Sequence, residues 1–332
     1  MEQKPKVTCI IAEYNPFHNG HAYHLETARR ETSPDVLAVV MSGDFTERGD
    51  IAVCPKETRA RWAALAGADV VYELPPAFAV APAGDFAYGA IKTLSRLFPR
   101  FTLSFGSECG DIKALTRVSD LLSNETGELS SYIKKNLKEG KSYPRARGEA
   151  FAALHPDLAP ILYKPNNILA IEYIKAARMI GGVDLHTVTR EDNFLSTEIK
   201  GTFASAAALR ELLQNGGDIS PYVPTYVTDD IAHAYSRERI NALRHGIFRI
   251  LSEIPKEKLA LISGVREGLE NRFKKFLPQA GDLNGLLSLV KTKRYTMAAL
   301  KRICISAYLG ITAEMTADFK ENPPEPKVLY GK

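Results

Sequence analysis

Twelve residues near the N-terminus, Ile10-Ile11-Ala12-Glu13-Tyr14-Asn15-Pro16-Phe17-His18-Asn19-Gly20-His21, constrain this chain more than any other feature. The apolar run Val7–Ala12 reads as a buried parallel strand. Asn15-Pro16 ends it, because proline has no N–H for the ladder and turns the preceding residue away from helix. Gly20 allows the backbone to come close to a ligand. A helix then follows over His21–Glu31, with Ala22, Leu25 and Ala28 on one face. Strand, tight loop and helix N-terminus succeed one another, with His18 and His21 beside that terminus. Unpaired N–H groups and the helix dipole favour an anion there. Two imidazoles able to donate hydrogen bonds make the loop a triphosphate site. One histidine at a helix start is usually a cap or a surface group; two at the spacing H-x-G-H point to function. No HExxH or CxxC pattern accompanies them, so no protein-held metal is expected.

The first ~215 residues alternate strand and helix patterns, which predicts a parallel sheet covered on both faces. Strands are expected at Val7–Ala12, Val36–Met41, Val70–Glu73, Phe101–Phe105 and Val183–Val188. Helices are expected at His21–Glu31, Lys56–Ala66, Gly84–Phe98, Ile112–Ser123, Asn167–Ile180 and Ser205–Gln214. The fold class is therefore α/β, a Rossmann-like sheet over residues 1–220 that binds its ligand at the carboxyl ends of the strands. After Pro221-Tyr222-Val223-Pro224 a mostly helical part runs over 221–332, and Glu321-Asn322-Pro323-Pro324-Glu325-Pro326 reads as an extended tail. The stretch from Ser123 to Asn166 carries Lys134, Lys135, Lys138, Lys141, Arg145 and Arg147, and reads equally as a basic flap or as a plain surface helix and loop.

Charge separates the two parts. The chain is +4 overall, yet Tyr235–Arg302 holds 15 Lys and Arg against 6 Asp and Glu. A basic face of that kind suits a polyanion such as RNA. Within it, Lys293, Arg294, Tyr295, Lys301 and Arg302 interleave cations with an aromatic able to stack on an unpaired base. No apolar stretch approaches the ~20 residues of a membrane helix. Met1–Lys6 leads straight into the first strand, which reads as no signal peptide, and Cys9, Cys54, Cys109 and Cys304 are too scattered for a disulfide framework. A cytoplasmic protein is expected, with neither a membrane nor DNA as its partner.

His18-Asn19-Gly20-His21 matches the H-x-G-H signature of the nucleotidyltransferase superfamily. The longer string from Glu13 to His21 resembles the bacterial tRNA(Met) cytidine acetate ligase family. That resemblance implies ATP as substrate with Mg²⁺, acetate activated as acetyl-adenylate, and acetyl transfer to N4 of the wobble cytidine of elongator tRNA(Met). It implies His18, His21 and Lys56 as catalytic groups. It implies an ATP-binding stretch of Ile11, Ala12, Glu13, Tyr14, Asn15, Pro16, Phe17, His18, Asn19, Gly20, His21, Ala22, Tyr23 and His24. Four further segments agree. Met41–Gly49 is similar to the family's M-S-G-N-F-x-Q-R-G, with Asp44 for Asn and Glu47 for Gln. Lys164–Leu169 is similar to P-N-N-I-L, and with Gly106, Asn166, Asn167 and Arg190 implies the adenine side of the site. Ala204–Arg210 is similar to A-S-A-T-A-I-R, placing Ser205 and Arg210 at the phosphates, with Ala207 where the pattern has threonine. Thr292–Thr296 is similar to T-K-R-Y-T. The resemblance weakens after about Gly310, and the family pattern continues past Lys332, where this sequence stops. Two alternatives stand beside it: an adenylyltransferase for a small mononucleotide cofactor, and a catalytically inactive tRNA-binding protein.

Overall fold

A computed structural model describes residues 4–124, 126–141, 143–190 and 204–331. Five parallel strands carry the N-terminal part: β1 (Val7–Ala12), β2 (Val36–Ser42), β3 (Val70–Leu74), β4 (Phe101–Ser107) and β5 (Val183–Thr189). Each lies where the apolar runs predict it. The helices between them are α1 (Asn19–Thr32), α2 (Lys56–Leu65), α3 (Pro76–Ala79), α4 (Ala83–Leu97), α5 (Ile112–Ser123), α6 (Gly127–Lys138), α7 (Tyr143–Leu154) and α8 (Pro165–Ile180), with α9 (Ala206–Gln214) after β5. The stretch of uncertain reading between Ser123 and Asn166 is thus the pair α6 and α7, tied by Asn136 Nδ2 donating to the Ala146 carbonyl at 3.0 Å. Lys134, Lys135 and Lys138 of α6 are exposed.

The parallel strands stand in the order β5-β4-β1-β2-β3. β1 pairs with β2 from Val7↔Val36 to Ala12↔Met41 and with β4 from Thr8↔Thr102 to Ile10↔Ser104. The chain builds outward from β1 through β2 to β3, then returns to lay down β4 and β5 on the other side. β1 and β4 therefore flank the topological switch point, where a crevice opens at the strand carboxyl ends. One sheet face packs Phe86, Ile91, Leu115, Ile171 and Ile174 from α4, α5 and α8. The other packs Leu25, Trp62, Ala63 and Leu209 from α1, α2 and α9.

The helical part follows as α10 (Thr225–Ala234), α11 (Arg237–Glu253), α12 (Lys256–Ala260), α13 (Leu269–Phe276), α14 (Leu283–Val290), α15 (Met297–Leu309) and α16 (Ala313–Glu321). Val227 and Ala234 of α10 pack into the α1–α2 core. The later helices build a core of their own from Ile247, Leu251, Phe273, Leu286, Leu300 and Ile303, which also takes in Phe45, Ala77 and Val80 of the sheet part. The segment read as a tail leads somewhere: beyond Pro326, β6 (Val328–Gly331) pairs antiparallel with β3, Val71 opposite Tyr330. It covers the backbone groups of what would otherwise be an open edge. Its four residues lie beyond the proline-rich run and lack the length that marks a strand in sequence.

Candidate active site

A cleft of about 480 Å³ opens at the carboxyl ends of β1 and β4. β1 and β4 contribute Ile10, Ile11, Ala12, Phe105 and Gly106; α4 and α8 contribute Phe86, Ile168, Leu169 and Tyr173. The polar lining includes Glu13, Asn15, His18, His21, His24, Glu47, Arg48, Asn166, Arg190, Ser205 and Arg210.

The start of α1 explains the histidine spacing. His18 is the N-cap, and its Nδ1 accepts the Gly20 N–H at 3.1 Å; His21 Nδ1 accepts the His18 N–H at 3.2 Å. This is a reciprocal capping box made from two imidazoles. The rings stack with centroids 3.7 Å apart. A Cβ at position 20 would stand 3.0 Å from His18 Cε1, so Gly20 serves the folded-back His18 ring. Burial, with Arg190 and Arg210 adding to it, holds the His18 pKa down to about 3. Burial and then the His18, Arg190 and His24 charges hold His21 well below the usual range. Both rings are neutral. Since each Nδ1 accepts a backbone N–H, each proton sits on Nε2, and each ring is a fixed donor.

His24, one turn on, is oriented differently. Its Nε2 lies 3.0 Å from Ser104 Oγ, which lies 3.0 Å from His186 Nδ1, and His186 Nε2 lies 3.0 Å from Glu31 Oε2. The Glu31 carboxyl, held below its usual range chiefly by that bond, accepts at the end of the chain. The protons then run one way, so His24 Nε2 donates to Ser104.

The loop joining β1 to α1 is held from several sides. Tyr14 is buried at φ +49°, a left-handed conformation unusual for an aromatic, against Phe17 and His21 at 4.9 Å each. Asn15 Oδ1 accepts the Val53 N–H at 2.8 Å, and the Asn15–Pro16 bond is cis. The Asn15 carbonyl accepts from Arg210 at 2.7 Å, which ties this loop to α9. Ser205 caps α9 by accepting the Ala208 N–H at 3.0 Å, and Ala206 and Ala207 line the cleft beside it. Two helix N-termini thus border one cleft, and each prefers an anion.

On the β4 side, Glu108 accepts from Asn166 N and Nδ2 and from Asn167 N, which closes the start of α8. Asn166 Oδ1 accepts from Arg190 at 2.8 Å. A Cβ on Gly106 would meet Arg190 Cδ at 2.6 Å, so this glycine makes room for that side chain. Asn167 is buried away from the cleft, its Oδ1 accepting the N–H groups of Glu108 and Cys109.

Several expected site residues stand elsewhere. Pro16 and Phe17 are buried beneath the loop, and Asn19, Gly20, Ala22 and Tyr23 do not line the cleft. Asn19 Nδ2 donates to the Pro221 carbonyl, and Tyr23 is exposed. Lys56 Nζ is bound to both oxygens of Glu73 at 2.7 and 2.8 Å, and Glu73 in turn lies against Gly43. Lys293 and Arg294 are exposed, Arg294 pairing with Glu267 at 2.9 Å, while Tyr295 donates to the Arg266 carbonyl. Lys301 pairs with Asp50 at 2.7 Å and Arg302 with Glu47 at 3.3 Å. Gly49, at φ +74°, sits directly on Lys301 and Arg302, where a Cβ would come 2.6 Å from Lys301 Cβ. The Gly43–Asp50 loop is therefore fastened to α15. The apolar wall of Phe86, Phe105, Ile168, Leu169 and Tyr173 escaped the sequence, because helix and strand periodicity marks it only as core.

The HIGH Nucleotidyl Transferase family model matches residues 5–330. The tRNA(Met) cytidine acetate ligase of Thermoanaerobacter sp. (strain X514) is 36% identical over 318 residues, covering 93% of this chain and 79% of that protein. That of Caldicellulosiruptor saccharolyticus is 39% identical over 306 residues, covering 90% and 76%. The crystal structure of Thermotoga maritima TmcAL bound with alpha-thio ATP superposes with a TM-score of 0.84 at 32% identity, covering 97% of this chain and 80% of that one.

Proposed function

The chain belongs to the HIGH nucleotidyl transferase family and, within it, to the tRNA(Met) cytidine acetate ligases; on that premise we propose that it is an ATP-dependent ligase that acetylates tRNA. ATP and acetate give acetyl-adenylate and pyrophosphate, and the acetyl group passes to N4 of the wobble cytidine of elongator tRNA(Met), releasing AMP. The observation that carries this reading is the pair of neutral imidazoles, each locked as an Nε2 donor at a helix N-terminus. Adenylation moves negative charge from the α-phosphorus onto departing pyrophosphate. Donors already aimed and already desolvated stabilise such charge without reorganising. Arg210 and the N-terminus of α9 assist at the phosphates, and Gly106, Asn166 and Arg190 border the adenine. Among the described residues no three His, Cys, Asp or Glu side chains gather to hold a metal. A Mg²⁺ ion bound with ATP would neutralise part of the triphosphate charge. Lys56 acts through Glu73, keeping the Gly43–Asp50 loop in shape.

RNA approaches from the helical part, whose exposed Lys293 and Arg294 offer phosphate contacts. Among the described residues no helix is long and apolar enough to cross a membrane, and a cytoplasmic tRNA is the substrate we propose. The test is to incubate the protein with ATP, labelled acetate and unmodified tRNA(Met), then digest the RNA and separate its nucleosides. N4-acetylcytidine, formed only with all three, is the expected result. Its absence beside an active control ligase would reject the assignment.

A further inference from the structure

We propose that Glu13 is the general base of the second half-reaction, taking the proton from the cytidine amine as it attacks the acetyl group. The inference rests on the function proposed above. A general base needs a lone pair that no other bond has taken.

Most of the titratable lining has none. Arg48, Arg190 and Arg210 are donors only. Burial raises the Tyr14 and Tyr173 hydroxyls, so both stay protonated. His18 and His21 spend their Nδ1 lone pairs on backbone N–H groups. His24 keeps a lone pair, but burial, Arg190 and His186 hold its pKa down to about 3, which makes it a feeble base near neutrality. The Glu47 carboxyl is paired through Oε1 with Arg302, whose charge, with that of Arg48, opposes the rise that burial gives it. Glu13 differs: Oε1 accepts the Glu47 N–H at 2.7 Å, and among the described residues no hydrogen bond to Oε2 is made. One oxygen is pinned, and the residue lines the cleft.

Its surroundings suit the task. Burial raises the carboxyl to about 6; the Glu47 charge pushes the same way, while the Glu47 N–H and the Arg210 and Arg59 charges oppose it. A base with that pKa is ionised at neutral pH yet binds a proton far better than a solvated carboxylate. Its place also fits. Glu13 leaves the end of β1 between the histidine loop, which holds the phosphates, and the Gly43–Asp50 loop, which α15 fastens on the side where RNA arrives. The exocyclic amine of cytosine is a poor nucleophile because its lone pair is shared with the ring. As the N–C bond forms, the nitrogen becomes acidic. One N–H proton passes to Glu13, the tetrahedral centre collapses, the C–O bond to the adenylate breaks, and AMP leaves with the electron pair. Glu13 then returns the proton to water.

Glu13→Gln keeps the acceptor for the Glu47 N–H and removes the base. Acetate-dependent exchange of labelled pyrophosphate into ATP, without tRNA, reads the first half-reaction. Single-turnover transfer from enzyme-bound labelled acetyl-adenylate to tRNA(Met) reads the second. Glu13 also borders the ATP site, so the two losses are compared: transfer should slow by about 100-fold, at least about tenfold more than exchange falls. Parent transfer should rise with pH through about 6 and level off, and that limb should vanish in the variant. Parallel loss of both half-reactions would make the carboxylate part of the ATP site and overturn the inference. So would unchanged transfer, or a pH limb that survives the substitution. A parent protein with no acetate-dependent exchange would instead defeat the function proposed above, and this inference with it.

Discussion

The histidines at the head of α1 and the cations of α11 and α15 are both basic side chains at least partly buried, and the molecule treats them in opposite ways. His18, His21 and His24 are stripped of charge by burial and by the neighbouring arginines. Lys301 and Arg302 are met by the carboxylates of Asp50 and Glu47, and Arg239 by that of Asp44. His18 and His21 are left as oriented N–H donors while His24 donates to Ser104; the second group becomes a set of fasteners between the helical part and the Gly43–Asp50 loop. Charge near an anion site is therefore a poor measure of anion binding. An ion-paired cation has spent its field, whereas a neutral imidazole keeps an N–H whose direction the cap fixes.

The sharpest way to break this contrast is at His21. In His21→Asn the amide oxygen takes the place of Nδ1 and preserves the cap, while the Nε2 donor is lost. Adenylate formation, read by pyrophosphate exchange, should fall by about 100-fold or more. His21→Gln, whose amide nitrogen reaches the Nε2 position, should recover part of it. Since burial holds the folded pKa well below the usual value, the exchange rate should show no histidine limb around the usual imidazole value of about 6.5. A rate that fell as pH rose through about 6.5 would mean an imidazolium does the work.

Arg302 tests the other side. Its side chain is only 15% exposed and Glu47 only 23%. Arg302→Met should leave the Glu47 carboxyl facing a less polar neighbour and cost about 2 kcal/mol in urea denaturation. Adding Glu47→Gln should return most of that loss, since the stranded charge is gone. If stability holds and tRNA affinity alone drops, Arg302 is an RNA contact and the contrast dissolves.

What the sequence discloses divides along the same line. The capping box joins His18 to Gly20 and His21 within one turn, so its spacing is visible in the chain. The five parallel strands are visible for a similar reason, each a continuous apolar run. The fates of Lys301 and Arg302 were hidden, because their partners lie 251 and 255 residues away. Gly49 carried the only local sign of that contact, and a glycine in a loop reads first as a turn. Asn167 was hidden too: a capping amide and an adenine reader have the same residue type at the same helix position, and only burial separates them. Glu108, which anchors both asparagines, sits at a strand end where acidic residues are common. β6 was invisible, as its pairing is supplied by β3.

Ala207 permits a smaller test on the phosphate side. It lines the cleft one residue into α9 beyond Ala206. Ala207→Thr adds a hydroxyl there, worth about 1 kcal/mol if it meets a phosphate oxygen. The KM for ATP should fall by about threefold to fivefold with kcat little changed. A rise would mean that the added methyl crowds the cleft.

The weakest effects are expected at the rim of α15, and they separate fasteners from contacts by salt dependence. Lys293 and Arg294 are exposed, and the Arg294–Glu267 pair joins side chains 79% and 63% exposed. A pair so well solvated restrains its arginine little, so Arg294 can turn to a phosphate. Each cation that neutralises a phosphate releases about one counterion. Lys293→Ala and Arg294→Ala should each weaken tRNA binding a few-fold and lower the slope of log affinity against log salt by about 1. The same measurement on Lys301→Ala should leave the slope where it was, because that ammonium is already neutralised by Asp50. Equal changes in slope at all three positions would place Lys301 on the RNA and make the loop fastening incidental.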